Sequence, residues 1–314
     1  MSDDLSHAVA AIRRGELVGL PTETVYGLAA DARDPTAVLR IFHAKGRPTF
    51  DPLIVHVADA DQAWTVAEPS DRARRLAAAC WPGPLTLVLP RRGIIPDVVT
   101  SGLNTVGVRV PAHPLALALI RATGVPLAAP SANAFGRISP TTAAHVREQL
   151  GVHVSVVLDG GPCAVGIEST VLCPDPRPVI LRPGGLTRER LEAILGEPVA
   201  IAGREQRAGA IALASPGLLA SHYAPRVPMR LRAAGEPWPA GAACLAWRGD
   251  DLPPGTQAEV LSPAGDLAEA AIHLFAALRR LDAQQPPLIV AELVPNEGLG
   301  LGINDRLCRA AGLG

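Results

Sequence analysis

Residues 19–57 read GLPTETVYGLAADARDPTAVLRIFHAKGRPTFDPLIVHV, and their order decides how the whole chain is read. Residues 17–20 predict a short apolar strand that breaks at Pro21 into two hydroxyls around one acid, Thr22, Glu23 and Thr24. Residues 38–44 predict a helix, closed by the cationic elbow Lys45-Gly46-Arg47-Pro48. A second apolar strand at residues 53–57 carries a single His56. This layout puts polar groups at strand ends, where open α/β sheets bind ligands. It also pairs hydroxyls, which orient a small substrate, with Lys and Arg, which neutralise phosphate. For any single residue, two strands, a helix and a solvated loop are explanation enough. For the whole constellation they are not.

Working outward, residues 3–14 predict a helix closed by Gly15, and residues 70–80 another, ending at the rigid turn Trp81-Pro82-Gly83-Pro84. Strands are expected at 85–89, 106–110, 127–129, 154–158, 170–173 and 179–181, with Arg109 inside the second of these. Pro114 suits the first position of a helix to Arg121, Ser139 is expected to cap the next helix, and Thr187 and Gly196 bracket the last of this half. The pattern changes after residue 200. Residues 215–228 hold turn formers without a period, together with the large polar pair His222-Tyr223. Strand, helix and strand at 243–247, 266–281 and 288–293 then predict a small parallel α/β unit. The divisions are residues 1–205, a linker at 206–228 and a second domain at 229–314.

The totals narrow the function. A length of 314 residues suits two domains, and 48% hydrophobic residues give each a core. A formal charge of -1 with 3% aromatics argues against a protein that coats nucleic acid. The five cysteines are odd in number and form no CxxC pair, so free thiols in a reducing compartment are expected rather than a zinc finger or disulfide framework. The acidic, amphipathic N-terminus is not read as a signal peptide, and no apolar run is long enough to span a bilayer, so a cytoplasmic protein is expected.

There is no GxxxxGK[ST], and the glycines of residues 298–302 imitate a dinucleotide fingerprint without room for the helix and strand that must follow. The candidate phosphate ligands are instead Lys45, Arg47 and Arg182, each at an element end beside Gly or Pro. Thr24, Ser131, Ser139 and Ser169 fall beyond strands or at helix starts, where capping also explains each one. Arg109 needs a partner inside its strand, either a substrate carboxylate or a buried acid. His56 alone reads as a satisfied core histidine. No HExxH or GxSxG, and no Cys-His order, points to a covalent nucleophile.

PTETVYGL, KGRP followed by PLIVHV, WPGPLTLVL, VGVRVP, APSAN followed by SPTTA, GIESTV and ILRPG stand in this order along the chain. Together they resemble the threonylcarbamoyl-AMP synthase family, whose catalytic module is the YrdC-like domain. SPGLLASHYAP is similar to the linker of its two-domain members, and GLGLGINDRLCRAA to the end of their second domain. The resemblance implies a twisted mixed-sheet YrdC-like domain followed by a small Rossmann-like α/β domain.

It also implies a reaction: L-threonine, bicarbonate and ATP give threonylcarbamoyl-AMP and pyrophosphate. A downstream transferase then passes the threonylcarbamoyl group to tRNA. By motif, Thr24, His56, Arg109, Ser169 and the backbone at Ala129 would hold threonine. Arg47, Asp51, Thr105, Ser131, Ser139, Arg182 and Tyr223 would hold ATP, with Lys45 and Arg47 as the catalytic cations. Mg²⁺ would accompany ATP, held mainly by its phosphates. The family usually has Asn where this chain has Asp51, and often a basic residue where it has Ser221. Tyr223, on a segment without a period, would fold over the nucleotide as a lid. Carbamoyl-adenylate formation and double-stranded RNA binding are the alternatives. Against the first stands the absence of finger-type cysteine pairs, and against the second the charge.

Overall fold

The structure, a computed structural model, describes residues 3–203 and 222–313. The first sheet begins with β1 (Val18–Leu20), β2 (Gly27–Asp31), β3 (Ile54–His56), β4 (Leu85–Pro90) and β5 (Thr105–Arg109). It continues with β6 (Leu127–Ala128), β7 (Val156–Val157), β8 (Thr170–Cys173), β9 (Val179–Arg182) and β10 (Ala200–Ile201). In space the order is β10-β9-β8-β4-β5-β3-β6-β2-β1-β7, with parallel and antiparallel pairs mixed. Leu85, Leu87 and Leu89 of β4, Val106 and Val108 of β5 and Val55 of β3 join one apolar cluster, which draws these central strands and the helices onto a common core.

Among the described residues eight helices accompany this sheet: α1 (Asp3–Arg13), α2 (Pro35–Lys45), α3 (Ala60–Val66), α4 (Asp71–Cys80), α5 (Asp97–Thr100), α6 (Pro114–Thr123), α7 (Ala143–Leu150) and α8 (Arg188–Leu195). Local chemistry explains α2. Asp34 accepts from Thr36 N, Pro35 sits at the helix start, and Gly46 ends it at φ 61°. That left-handed residue favours glycine. Its turn aims Lys45 and Arg47 inward, where both are buried. Thr187 and Gly196 cap α8 as the sequence predicts.

Ser139 differs from expectation. The helix starts at Ala143, capped by Thr142 through His145 N. Residues 139–141 stay outside the helix, the Ser139 hydroxyl donating to Glu168 and the Pro140 carbonyl accepting from Tyr26 N. The strand expected at 154–158 shrinks to β7, preceded by a 3-10 turn at Gly151–His153.

The second sheet contains β11 (Met229–Leu231), β12 (Ala243–Ala246), β13 (Ala258–Val260) and β14 (Ile289–Ala291) in the order β11-β14-β12-β13, parallel throughout. Two helices belong to it, α9 (Leu267–Ala283) and α10 (Gly300–Ala310). The glycine run at 298–302 therefore opens a helix after all. Val25, Ile138 and Ile167 of the first half join Tyr223, Leu274, Phe275, Leu278, Ile303 and Leu307 in a single apolar cluster. The two halves share a core. Among the described residues no helix is long and apolar enough to cross a membrane.

Candidate active site

A cavity opens where β3, β5, β8 and β9 meet the linker. Its lining includes Thr22, Thr24, Arg47, His56, Arg109, Ala129, Ser131, Glu168, Ser169, Arg182, His222 and Tyr223. Three guanidinium groups thus stand beside one carboxylate, which favours an anionic ligand.

β3 and β5 run parallel with His56 opposite Arg109, so one sheet end presents both. Arg109 is held on three sides. Its Nε donates to Gly83 O at 3.1 Å, Nη1 to Thr24 Oγ1 at 2.9 Å, and Nη2 lies 2.6 Å from Glu23 Oε1. The buried acid that competed with a substrate carboxylate is therefore present, and it is Glu23. Glu23 is itself fixed by Ala112 N, which donates to its Oε2 at 3.0 Å. Thr22 donates to Val25 O at 2.5 Å, so in its 2.9 Å contact with Thr24 the Thr24 hydroxyl is the donor. Burial first, and then Arg109, push the His56 imidazole down to about 3, so it is neutral near pH 7. Its Nδ1 has no hydrogen-bond partner among the described residues. Ala129 lines the same end, its N–H donating to Ile54 O at 3.0 Å.

The other end is cationic. Arg47 Nε donates to Asp51 O at 3.1 Å and Nη2 to Pro52 O at 2.9 Å, with Asp51 Oδ2 also 2.9 Å from Nη2. Asp51 thus turns its carboxylate to Arg47 and does not line the cavity. Arg182 Nη2 donates to Ser169 O at 3.1 Å, and Ser169 Oγ lies 2.8 Å from Thr86 Oγ1. Tyr223 is buried at φ 63°, its ring 4.3 Å from His222 and 5.5 Å from Phe275. Burial, then Glu168, raises its hydroxyl pKa, while burial and the surrounding cations keep His222 neutral.

Three expected residues lie behind this lining. Lys45 does not face the cavity: its Nζ donates to Ser131 O at 2.6 Å and Asn133 O at 2.5 Å. Burial drives its pKa well down. In this structure Lys45 holds the Ser131 loop. Ser139 gives its hydroxyl to Glu168 Oε1 at 2.5 Å. Thr105 opens β5 two residues before Gly107, the partner of Ile54, which sets it beside the Asp51–Pro52 segment. That is about 13 Å along the strand from Arg109. Residues 206–221 of the expected linker and lid, and the expected boundary at 205, lie outside the described residues. Sequence reasoning passed over Thr22 and Glu168 as lining groups, although both sit inside motifs it quotes, PTETVYGL and GIESTV.

Fold and lining together define a mixed-sheet α/β enzyme with an arginine-lined cavity in the first half, walled on one side by His222 and Tyr223. The Sua5/YciO/YrdC family profile, described as telomere recombination, matches residues 10–184. The profile of the threonylcarbamoyl-AMP synthase C-terminal domain matches residues 186–312. Threonylcarbamoyl-AMP synthase of Bacillus subtilis is 42% identical over 98% of this chain and 93% of its own length. The crystal structure of Pyrococcus abyssi Sua5 complexed with L-threonine superposes at a TM-score of 0.90, with 39% identity over 98% of this chain and 94% of that one. A variant of that protein, with a histidine and the tyrosine after it replaced by alanine, superposes at 0.88, with 38% identity over 98% and 93%. This chain belongs to the threonylcarbamoyl-AMP synthase family.

Proposed function

We propose that the chain is an L-threonylcarbamoyladenylate synthase, joining L-threonine, bicarbonate and ATP into threonylcarbamoyl-AMP and releasing pyrophosphate. One observation carries the reading: near-complete superposition on a relative complexed with L-threonine, at 39% identity. In this reading the threonine carboxylate lies near Arg109 and Thr24, and neutral His56 offers it a hydrogen bond rather than a charge. Arg47, Arg182 and Tyr223 face the nucleotide from the opposite end. The His222-Tyr223 pair, the only His-Tyr dipeptide in this sequence, lines the cavity. That placement supports a nucleotide contact by Tyr223.

The chemistry is addition followed by displacement. Bicarbonate takes up a proton and loses water to give CO₂; the threonine amine, deprotonated from its ammonium form, attacks the carbon of CO₂ and gives up a second proton to leave a carbamate. A carbamate oxygen then attacks the α-phosphorus in line with departing pyrophosphate, which takes the bond's electron pair. Neither step needs a covalent enzyme group, so catalysis rests on positioning and on guanidinium groups that stabilise charge passing to pyrophosphate. The buried walls keep water from the labile carbamate.

Mg²⁺ belongs to this proposal only as the companion of ATP. No group of three metal-ligating side chains occurs among the described residues. The carboxylates near the cavity are taken: Glu23 by Arg109, Asp51 by Arg47 and Glu168 by Ser139 and Arg306. These residues do not form a protein cage for the ion, which fits a metal held by phosphates. A cytoplasmic setting and a tRNA-modifying transferase downstream complete the proposal.

The test incubates the protein with ATP, Mg²⁺, bicarbonate and labelled threonine. Threonine-dependent pyrophosphate and a labile labelled adenylate are expected. Pyrophosphate released with carbamoyl phosphate and without threonine overturns the reading in favour of carbamoyl-adenylate formation.

A further inference from the structure

Arg306 sits on α10 in the second half of the chain, wholly buried, and besides longer contacts to Gly302 O at 3.4 Å and Asp305 Oδ2 at 3.3 Å on its own helix, its shortest bonds reach the first half. Its Nε donates to Glu168 Oε2 at 2.9 Å, and its Nη1 donates to the Pro183 carbonyl. Its guanidinium carbon lies 5.4 Å from the centre of the Tyr223 ring. Glu168 and Pro183 are the chain neighbours of Ser169 and Arg182, both of which line the cavity. Because β8 and β9 are antiparallel, with Val171 opposite Arg182, the start of one strand and the end of the other lie together. One planar group therefore bridges the two strand ends that carry the cavity's hydroxyl and its guanidinium. The remaining oxygen of Glu168 takes the Ser139 hydroxyl at 2.5 Å, so the same chain of contacts reaches a third segment.

The glycines explain how α10 comes close enough. A Cβ on Gly302 would lie 3.2 Å from Gly184 Cα and 3.0 Å from Ile167 Cδ1. A Cβ on Gly184 would fall 2.3 Å from the Glu168 carbonyl oxygen. Gly302, the last glycine of the run that imitates a nucleotide fingerprint, is thus the bare point of α10 that rests on Gly184. Arg suits position 306 because its rigid fork serves two acceptors at once, which a lysine ammonium on a flexible stem does less well.

We propose that Arg306 is a positioning residue for the catalytic cavity. Through its bonds to Glu168 and the Pro183 carbonyl it fixes Glu168 and Arg182, which both line the cavity, in the geometry that receives the nucleotide, so the second domain completes the site without touching substrate. The proposal rests on the function proposed above.

The test compares the full chain with Arg306→Lys, Arg306→Met and the double variant Arg306→Met/Glu168→Gln, which removes both buried charges. Steady-state threonine-dependent pyrophosphate release, equilibrium ATP and threonine affinities, and melting temperature are measured for each. Arg306→Lys is expected to lower kcat/KM for ATP about 100-fold, the cost of an ångström-scale misplacement. Threonine affinity stays close to that of the unsubstituted chain, because Ser169 has its own anchor at Thr86 Oγ1, 2.8 Å away. The double variant melts higher than Arg306→Met but does not recover ATP affinity. Unchanged ATP parameters in Arg306→Lys, or equal losses for both substrates, overturn the proposal. If the unsubstituted chain releases no threonine-dependent pyrophosphate, the functional reading fails, and ATP affinity alone decides the role of Arg306.

Discussion

His56→Gln removes an imidazole that is buried neutral while keeping a polar side chain in the strand. The folded pKa is about 3, against an ordinary 6.5, with burial the larger cause and Arg109 the second. Because the folded value lies below the unfolded one, the unfolded chain takes up the proton first. The stability contributed by neutral burial is complete above about pH 6.5 and is lost as pH falls toward 3. Between pH 7 and pH 5 the loss amounts to about 2 kcal/mol. His145, pushed by burial to about 4, and His222, also depressed, act on both proteins alike. The difference between the two proteins therefore isolates His56. Urea denaturation at pH 7, 6 and 5 gives stability against pH for each. The His56→Gln curve should fall less steeply, by about 2 kcal/mol over that span. Parallel curves would refute the neutral, buried imidazole, and with it the view that His56 meets threonine through a hydrogen bond instead of a charge.

Lys45→Met leaves the carbonyls of Ser131 and Asn133 without their shared donor and should cost about 2–4 kcal/mol in chemical denaturation, since each stranded buried group costs about 1–3 kcal/mol. Unchanged stability with lost ATP binding would return Lys45 to the phosphates. Asp51→Asn frees the Arg47 charge while keeping an acceptor for it, so KM for ATP should fall several-fold and the melting temperature should drop. A higher KM would mean that the carboxylate matters more for aiming Arg47 than for offsetting its charge.

Much of the frame was legible because its causes are local. Thr187 and Gly196 bracket α8 through capping chemistry that a few residues contain. The β8 boundaries follow from a continuous apolar run. By contrast β2, Gly-Leu-Ala-Ala-Asp, has little intrinsic strand preference and is made a strand by its neighbours β1 and β6. The helical start of α10 hides in a glycine run whose last member, Gly302, packs on the first domain and whose middle one, Gly300, packs on Pro295. In the site, most of the motif residues come together around one cavity, but the directions of their side chains were not legible. Ser139 reads as a cap until Glu168, 29 positions away, takes its hydroxyl. Arg306 reaches Glu168 across 138 positions, and nothing in INDRLCRAA marks its arginine as buried. Lys45 reads as a phosphate ligand because a basic elbow beside glycine usually faces solvent, whereas here backbone carbonyls surround it.

The apolar cluster that mixes Val25, Ile138 and Ile167 with Leu274, Phe275 and Leu307 also governs how the molecule comes apart. Gly166 presses on α9 so closely that a Cβ there would lie 2.3 Å from the Ala271 carbonyl oxygen. Separating the halves would wet that cluster and strand Glu168 at once, so neither half has a stable edge at which to stop. Unfolding should follow as one cooperative transition, with calorimetric and van't Hoff enthalpies in agreement, in a chain whose length alone would suggest two.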